Sequence, residues 1–245
     1  MKNISERGVK APPFFCFLVL VILIPSCISM EKTIEADMIT IPDGSFPMGS
    51  IESDADPDEA PVHSVYVSSF RLSRFEVTQQ LWKTVMGNNP SYHKGANLPV
   101  ELISKDDAEE FVAKLNKRTG HSYRLPTETE WEYAAFLGQE GLMSPLESFA
   151  WYDDNSNGRS HKVGEKQPDA LGLYDIIGNV NEWVQDSYEG KNYAGVAVIP
   201  VDSLVQEAVF RGGAFNAGRQ YCRISNRNHA PSGIRNYAIG LRLAE

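Results

Sequence analysis

Two stretches of this chain carry a complete helix signature, and everything after Phe149 carries none. Ser104 and Asp107 form a capping-box pair, followed at i, i+3, i+4 and i+7 by Ala108, Phe111, Val112 and Leu115 and stopped by Gly120. Thr127 and Glu130 repeat the device, with Trp131, Ala134 and Ala135 as the apolar stripe and Gly138 as the stop. A shorter helix is expected over 79–86. Residues 38–41, 65–67 and 75–77 alternate as half-buried strands do, and the chain from 149 onward reads as short strands and turns rich in Asn and Gly. With 19 Gly and 14 Pro, such a chain folds as a loop-rich α+β domain, not as a helix bundle. Hydrophobic residues at 42% supply a core, and neither an internal repeat nor a low-complexity linker divides it, so a single domain is expected. The acidic stretch 53–59 reads as a solvated loop.

The first residues read as an address. Lys2, Arg7 and Lys10 precede an apolar run from Phe14 to Ile24, which is too short for a comfortable membrane span and suits a signal peptide. The run ends in Ile24-Pro25-Ser26-Cys27, which resembles the lipobox of bacterial lipoproteins, where the cysteine is acylated and becomes the new N-terminus. The expected organisation is a lipoprotein signal peptide over 1–26, lipidation at Cys27, a polar tether over 27–37 and a folded domain over 38–245. Cys16 would leave with the leader, so Cys222 would remain as a lone thiol without an internal disulfide partner. Ile28 and Ser29 do not form an acidic inner-membrane retention signal, which favours an outer membrane if the cell has one. The net charge of −9 would repel phosphate backbones and argues against nucleic acid.

Seven segments, in order, resemble the formylglycine-generating enzyme family, also called sulfatase-modifying factors. They are IPDGSFPMGS at 41–50, DEAPVH at 58–63, FEVT at 75–78, RLPTETEWEYAA at 124–135, LGLYDIIGNVNEW at 171–183, RGGAF at 211–215 and IGLRL at 239–243. The resemblance implies a C-type-lectin-like α+β fold with little regular secondary structure. Within it, 124–135 reads as architecture: Glu128 and Glu132 share a helix face without the pattern of a paired-carboxylate catalyst.

The stretch 175–182 is more chemical. Asp175 and Glu182 flank Gly178, where the backbone can turn and expose carbonyls, a hard-oxygen set suited to calcium; spacing alone equally fits a turn in which Asp175 caps local amides. The resemblance implies calcium here, with side-chain oxygens from Asp175 and Glu182 and main-chain oxygens from Gly178 and Val180. The run from Asp153 to Gly158 opens like an EF-hand loop but lacks the closing acid, since Gly164 stands in its place, and it reads as an Asn/Gly turn.

Active members of the family oxidise a client sulfatase cysteine to formylglycine with oxygen and copper(I) held by two cysteines five residues apart. Soft thiolates are the natural copper(I) ligands. Here Cys222 stands at the second position, but Ala217 occupies the first and Ala214 replaces the turn serine. One thiolate makes neither the two-sulfur site nor a redox disulfide, so copper is not expected. Arg219 and Arg223 would act to lower the Cys222 pKa, yet a lone small thiol is more often a packed core residue. The histidines His63, His93, His121, His161 and His229 show no ligand spacing.

The expected protein is therefore an envelope lipoprotein whose sulfatase-modifying-factor-type domain is non-catalytic for formylglycine and acts in binding or assembly, with a protein or glycan partner and the membrane reached through the lipid anchor. Segments 152–159 and 188–194 are the expected binding surface. The alternatives are a retained formylglycine-generating oxidase using Cys222 and a divergent oxidative tailoring enzyme.

Overall fold

The computed structural model of this protein describes residues 25–139, 144–196 and 205–245, with side chains from Met30 onward. The apolar run 14–24 and the Cys27 side chain lie outside them. No described helix is long and apolar enough to cross a membrane.

The element order is α1 (Pro25–Asp37), β1 (Met38–Ile41), β2 (Gly44–Met48), β3 (His63–Val67), β4 (Phe70–Glu76), α2 (Gln79–Met86), α3 (Lys105–Thr119), α4 (Glu128–Gly138), β5 (Asn181–Ser187), β6 (Glu207–Arg211), β7 (Arg227–Pro231), β8 (Ile239–Gly240) and β9 (Arg242–Ala244). Among the described residues these make three sheets, β1-β4-β9, the β2-β3 hairpin, and β7-β6-β5-β8, in which the β5-β8 pair is parallel and the others antiparallel. This is the expected α+β domain with three short helices in its body and a loop-rich second half.

The helix starts follow the sequence chemistry. Ser104 and Thr127 are N-caps with both halves of the capping box formed, Thr78 caps α2 by accepting from the Leu81 amide, and Gly87 and Gly120 close α2 and α3 in the left-handed conformation. Gly138 does not cap α4. It is the last helical residue, and right-handed Gln139 follows it. The reason for a glycine at 138 is space, since a β-carbon there would stand 1.9 Å from Asp169 Oδ2.

Two expectations change. Residues 31–37, read as a polar tether, are helical and docked. Met30 and Ile34 on α1, one turn apart, and Met38 at the start of β1 join the core around Trp82, Phe111, Trp183 and Leu241, where the Trp82 and Phe111 rings stack 5.0 Å apart. The acidic stretch 53–59 is not merely solvated: it ends in a 3-10 turn, Pro57–Glu59, whose Glu59 is fully buried and binds Arg223 through both oxygens at 2.7 and 2.8 Å. A buried carboxylate needs such a partner, and a bidentate arginine is the strongest available one.

The other large core surrounds Trp131, Phe46, Leu72 and Ile177 and includes Cys222. Two arginines, Arg211 buried and Arg227 half-buried, are paired with acids of α4. Arg227 grips both oxygens of Glu128 at 2.7 and 2.9 Å, while Arg211 bonds Glu132 and the carbonyls of Ile224, Ser225 and Asn226. The carboxylates of α4 thus tie that helix to β6 and β7, an architectural role, as expected.

Candidate functional site

The turn from Gly212 to Cys222 is built for close approach. Gly212 and Gly213 have φ of 104° and 75°, conformations that suit glycine, and a β-carbon on Gly213 would stand 2.8 Å from Cys222 Sγ. Within this turn the Ala214 carbonyl accepts from the Ala217 amide. Ala217 in turn accepts from the Asp153 amide, which anchors the Asn/Gly turn at 153–158. Asn157 and Gly158 adopt left-handed conformations there, so that stretch is the turn that its sequence suggests.

Cys222 is a buried thiol at the wall of a cleft of about 590 Å³ that Asp169, Asp175, Ile177, Arg219 and Arg223 also line. Burial pushes its pKa up to about 11, against weaker lowering by the Ala214 amide and Arg219, so the thiol carries its proton at neutral pH. Of the two arginines expected to activate it, Arg219 lowers its pKa only weakly and Arg223 is not among the causes. Arg223 is held by Glu59, and Arg219 pairs with Glu147 and lies over the Tyr152 ring, 5.5 Å from its centroid.

The segments expected as the binding surface turn their rings inward. Tyr152 and Tyr188 are buried; Tyr188 donates to Asp58 at 2.8 Å and stacks on His229 at 3.9 Å. The exposed aromatics lie elsewhere. Tyr92 is 71% and Tyr237 44% exposed, their centroids are 6.2 Å apart, and Tyr237 packs against Phe215 at 5.8 Å, with its hydroxyl 3.3 Å from Asn216 Nδ2. This pair therefore flanks the 212–222 turn. No periodic pattern in the sequence hints at it, because Tyr92 and Tyr237 sit on loops far apart in the chain.

The 175–182 turn lies under the same region. Asp175 and Asn179 take left-handed φ of 53° and 57° without being glycine, and Gly178 packs so tightly that a β-carbon would meet the Trp151 carbonyl at 2.5 Å. Glu182 bonds Arg242 through both oxygens at 2.7 to 3.1 Å and accepts from Trp131 Nε1 at 2.8 Å. Glu76 accepts from Asn179 Nδ2 and the Val180 amide. Asp175 accepts from the Gly164 amide through Oδ2, while its buried Oδ1 has no partner.

Three carboxylates, Glu76, Asp175 and Glu182, thus share one buried cation, Arg242. Burial raises the pKa of Asp175 to about 6 and that of Glu76 well above the carboxylate range, with further raising from the neighbouring acids. Orphaned Asp175 Oδ1 and the buried excess of negative charge fit a hard divalent cation such as calcium, for which Asp175 keeps a free oxygen and Glu182 must share with Arg242.

Residues 26–245 match the family described as the sulfatase-modifying factor enzyme 1-like domain. The chain is 30% identical over 212 residues to the chaperone protein LppX of Paenibacillus barcinonensis, covering 63% of this chain and 73% of that one. It is 24% identical both to the formylglycine-generating enzyme of Thermomonospora curvata (78% and 86% covered) and to the inactive C-alpha-formylglycine-generating enzyme 2 of Bos taurus (62% and 71%). Similarity at this level therefore does not separate a catalyst from an inactive relative. Among solved structures, PvdO from Pseudomonas aeruginosa matches with a TM-score of 0.72 at 29% identity, covering 84% of this chain and 93% of that one.

Proposed function

The chain belongs to the sulfatase-modifying factor enzyme 1-like domain family, and from that premise we propose that it is an envelope lipoprotein whose domain serves in binding or assembly instead of formylglycine formation. The observation that carries this reading is the pairing of Ala217 with a buried, protonated Cys222 on the turn where active members hold copper between two thiolates. Copper(I) would lack its first sulfur, and the remaining one would have to lose its proton while buried. The relatives named as a chaperone and as an inactive enzyme support the same reading.

The exposed Tyr92–Tyr237 pair supplies what a partner would meet: two rigid rings with polar tips beside Asn216, at the rim of the turn. Aromatic anchors of this kind bury large area at small entropic cost and suit either a protein segment or a sugar face. The lipid at Cys27 would hold the domain at a membrane. Calcium, bound through Asp175 with Glu182, Gly178 and Val180, would neutralise the buried acids and fix the 175–182 turn under this surface.

The test is incubation of copper-loaded protein with a Cys-x-Pro-x-Arg peptide, with aldehyde followed by mass. No product is expected. Substantial product with the wild-type chain would overturn the reading and restore the oxidase alternative. Intact mass of membrane-extracted protein checks the anchor, with cleavage before Cys27 and added acyl mass as the expected result.

A further inference from the structure

The inner end of α1 meets the body of the domain at a cluster that no part of the proposed function uses. Glu35 on α1, His121 on the loop after α3, and Glu245 after β9 bring one ligand atom each to within 4.8 Å of one another. His121 Nδ1 stands 3.0 Å from Glu245 Oε1 and 3.5 Å from Glu35 Oε1. Four-coordinate zinc holds nitrogen and oxygen ligands at about 2.0 to 2.1 Å, which places neighbouring tetrahedral ligand atoms about 3.3 Å apart. The observed separations bracket that value without a metal.

Each ligand is also oriented from behind. The other nitrogen of His121, Nε2, faces Glu31 Oε1 at 3.4 Å and can keep its proton there when a cation displaces the one that Nδ1 shares with Glu245. A carboxylate behind a metal-bound histidine fixes its tautomer in the same way. The His121 ring stacks on Tyr123 at 5.0 Å and 12°. Tyr123 donates to Glu35 Oε1 at 2.5 Å, and Arg71 holds the outer oxygens of Glu35 and Glu245 at 2.9 and 2.6 Å. Glu31, Glu35 and Glu245 carry three negative charges against the single charge of Arg71, so a dication meets an excess of two. The three ligands are half-buried, which leaves a fourth position open to water.

We propose that Glu35, His121 and Glu245 form a zinc-class divalent metal site that clamps helix α1 onto the β1-β4-β9 sheet. Because α1 leads from the proposed lipid anchor into the domain, the metal would set how firmly the domain is held against that anchor. The imidazole nitrogen favours zinc over calcium or magnesium, which prefer oxygen alone. The site lies apart in composition from the Asp175 cluster, whose ligands are all oxygens.

The test uses tag-free full-length protein in detergent at pH 7.5, stripped by chelator, desalted, and titrated with zinc against a chromophoric competitor. One equivalent is expected at micromolar affinity or tighter. His121→Ala and, separately, Glu245→Gln should each weaken it at least tenfold, and Glu31→Gln should weaken it about tenfold through the orienting contact alone. Zinc should also slow amide exchange across residues 30–37 in the wild type and leave it unchanged in Glu245→Gln. Absence of stoichiometric binding, or unchanged affinity in folded Glu245→Gln protein, would overturn the proposal; if His121→Ala does not fold, Glu245→Gln decides. Equal affinity for magnesium would show a generic acidic patch and would likewise overturn it.

Discussion

Arg242 grips Glu182 through both carboxylate oxygens in a setting where neither side chain reaches solvent. The same guanidinium donates to the carbonyls of Ser73, Arg74 and Tyr174, so one residue of β9 joins β4, the 175–182 turn and β5. Removing one partner of a buried pair leaves the other charge uncompensated, which costs far more than the pair contributes. Here it would leave Glu76, Asp175 and Glu182 without their shared cation. Arg242→Met should therefore destabilise the domain by about 3–5 kcal/mol, read as a lower midpoint in urea unfolding.

Gly178 offers another, purely steric test. Its φ of 84° and the 2.5 Å approach of the Trp151 carbonyl leave no room for a methyl group. Gly178→Ala should cost about 3 kcal/mol, while Gly172→Ala, also at positive φ but with open space around it, should cost about 1 kcal/mol. Equal losses at the two positions would mean that backbone strain, not contact with Trp151, sets the requirement.

Calcium should raise the melting temperature of the wild-type domain. At a hundredfold excess over its dissociation constant the stabilisation is about 2.7 kcal/mol, or several degrees for a domain of this size. Chelation should remove the gain, and Asp175→Ala should abolish the response because it deletes the orphaned oxygen. An unchanged melting curve at millimolar calcium would sink this part of the reading.

The Cys222 thiol should alkylate slowly at pH 7.5, with a rate that climbs about tenfold per pH unit toward 11. The linkage has a definite sign. A thiol whose folded pKa is raised from 9 to about 11 favours the fold while protonated, so its contribution is complete below pH 9 and is lost as pH rises toward 11. Urea midpoints across that window, compared between wild type and Cys222→Ala, isolate it.

Replacing Tyr92 and Tyr237 together by Ala should cost about 1 kcal/mol, well below a core truncation, since Tyr92 is 71% exposed and Tyr237 is 44% exposed with one side packed on Phe215. The same double substitution should remove retention of any native partner crosslinked to the wild type. Retention without the two rings would move the binding surface elsewhere.

Local signals in the sequence specify the helices well. The capping boxes at Ser104 and Thr127 and the glycine stop at Gly120 are short-range chemistry, complete within one or two turns, and the structure repeats them. What the sequence leaves hidden is all long-range. Nothing near Glu59 announces that Arg223 lies across the fold to receive it, and nothing near Tyr152 shows that its ring faces the core. Metal-ligand spacing is silent at His121 for the same reason, because its carboxylates come from an N-terminal helix and from the far end of the chain. In loop-rich folds the site is assembled by closure between distant segments, so adjacency along the chain records little of it.

The antiparallel pairing of β4 with β9, Leu72 opposite Ala244 and Glu76 opposite Arg242, has a kinetic consequence. The two strands lie far apart in the chain, so β4 keeps one edge unpaired until β9 has been made. Loss of β9 would leave β4 with an unpaired edge, free to add a strand from another chain.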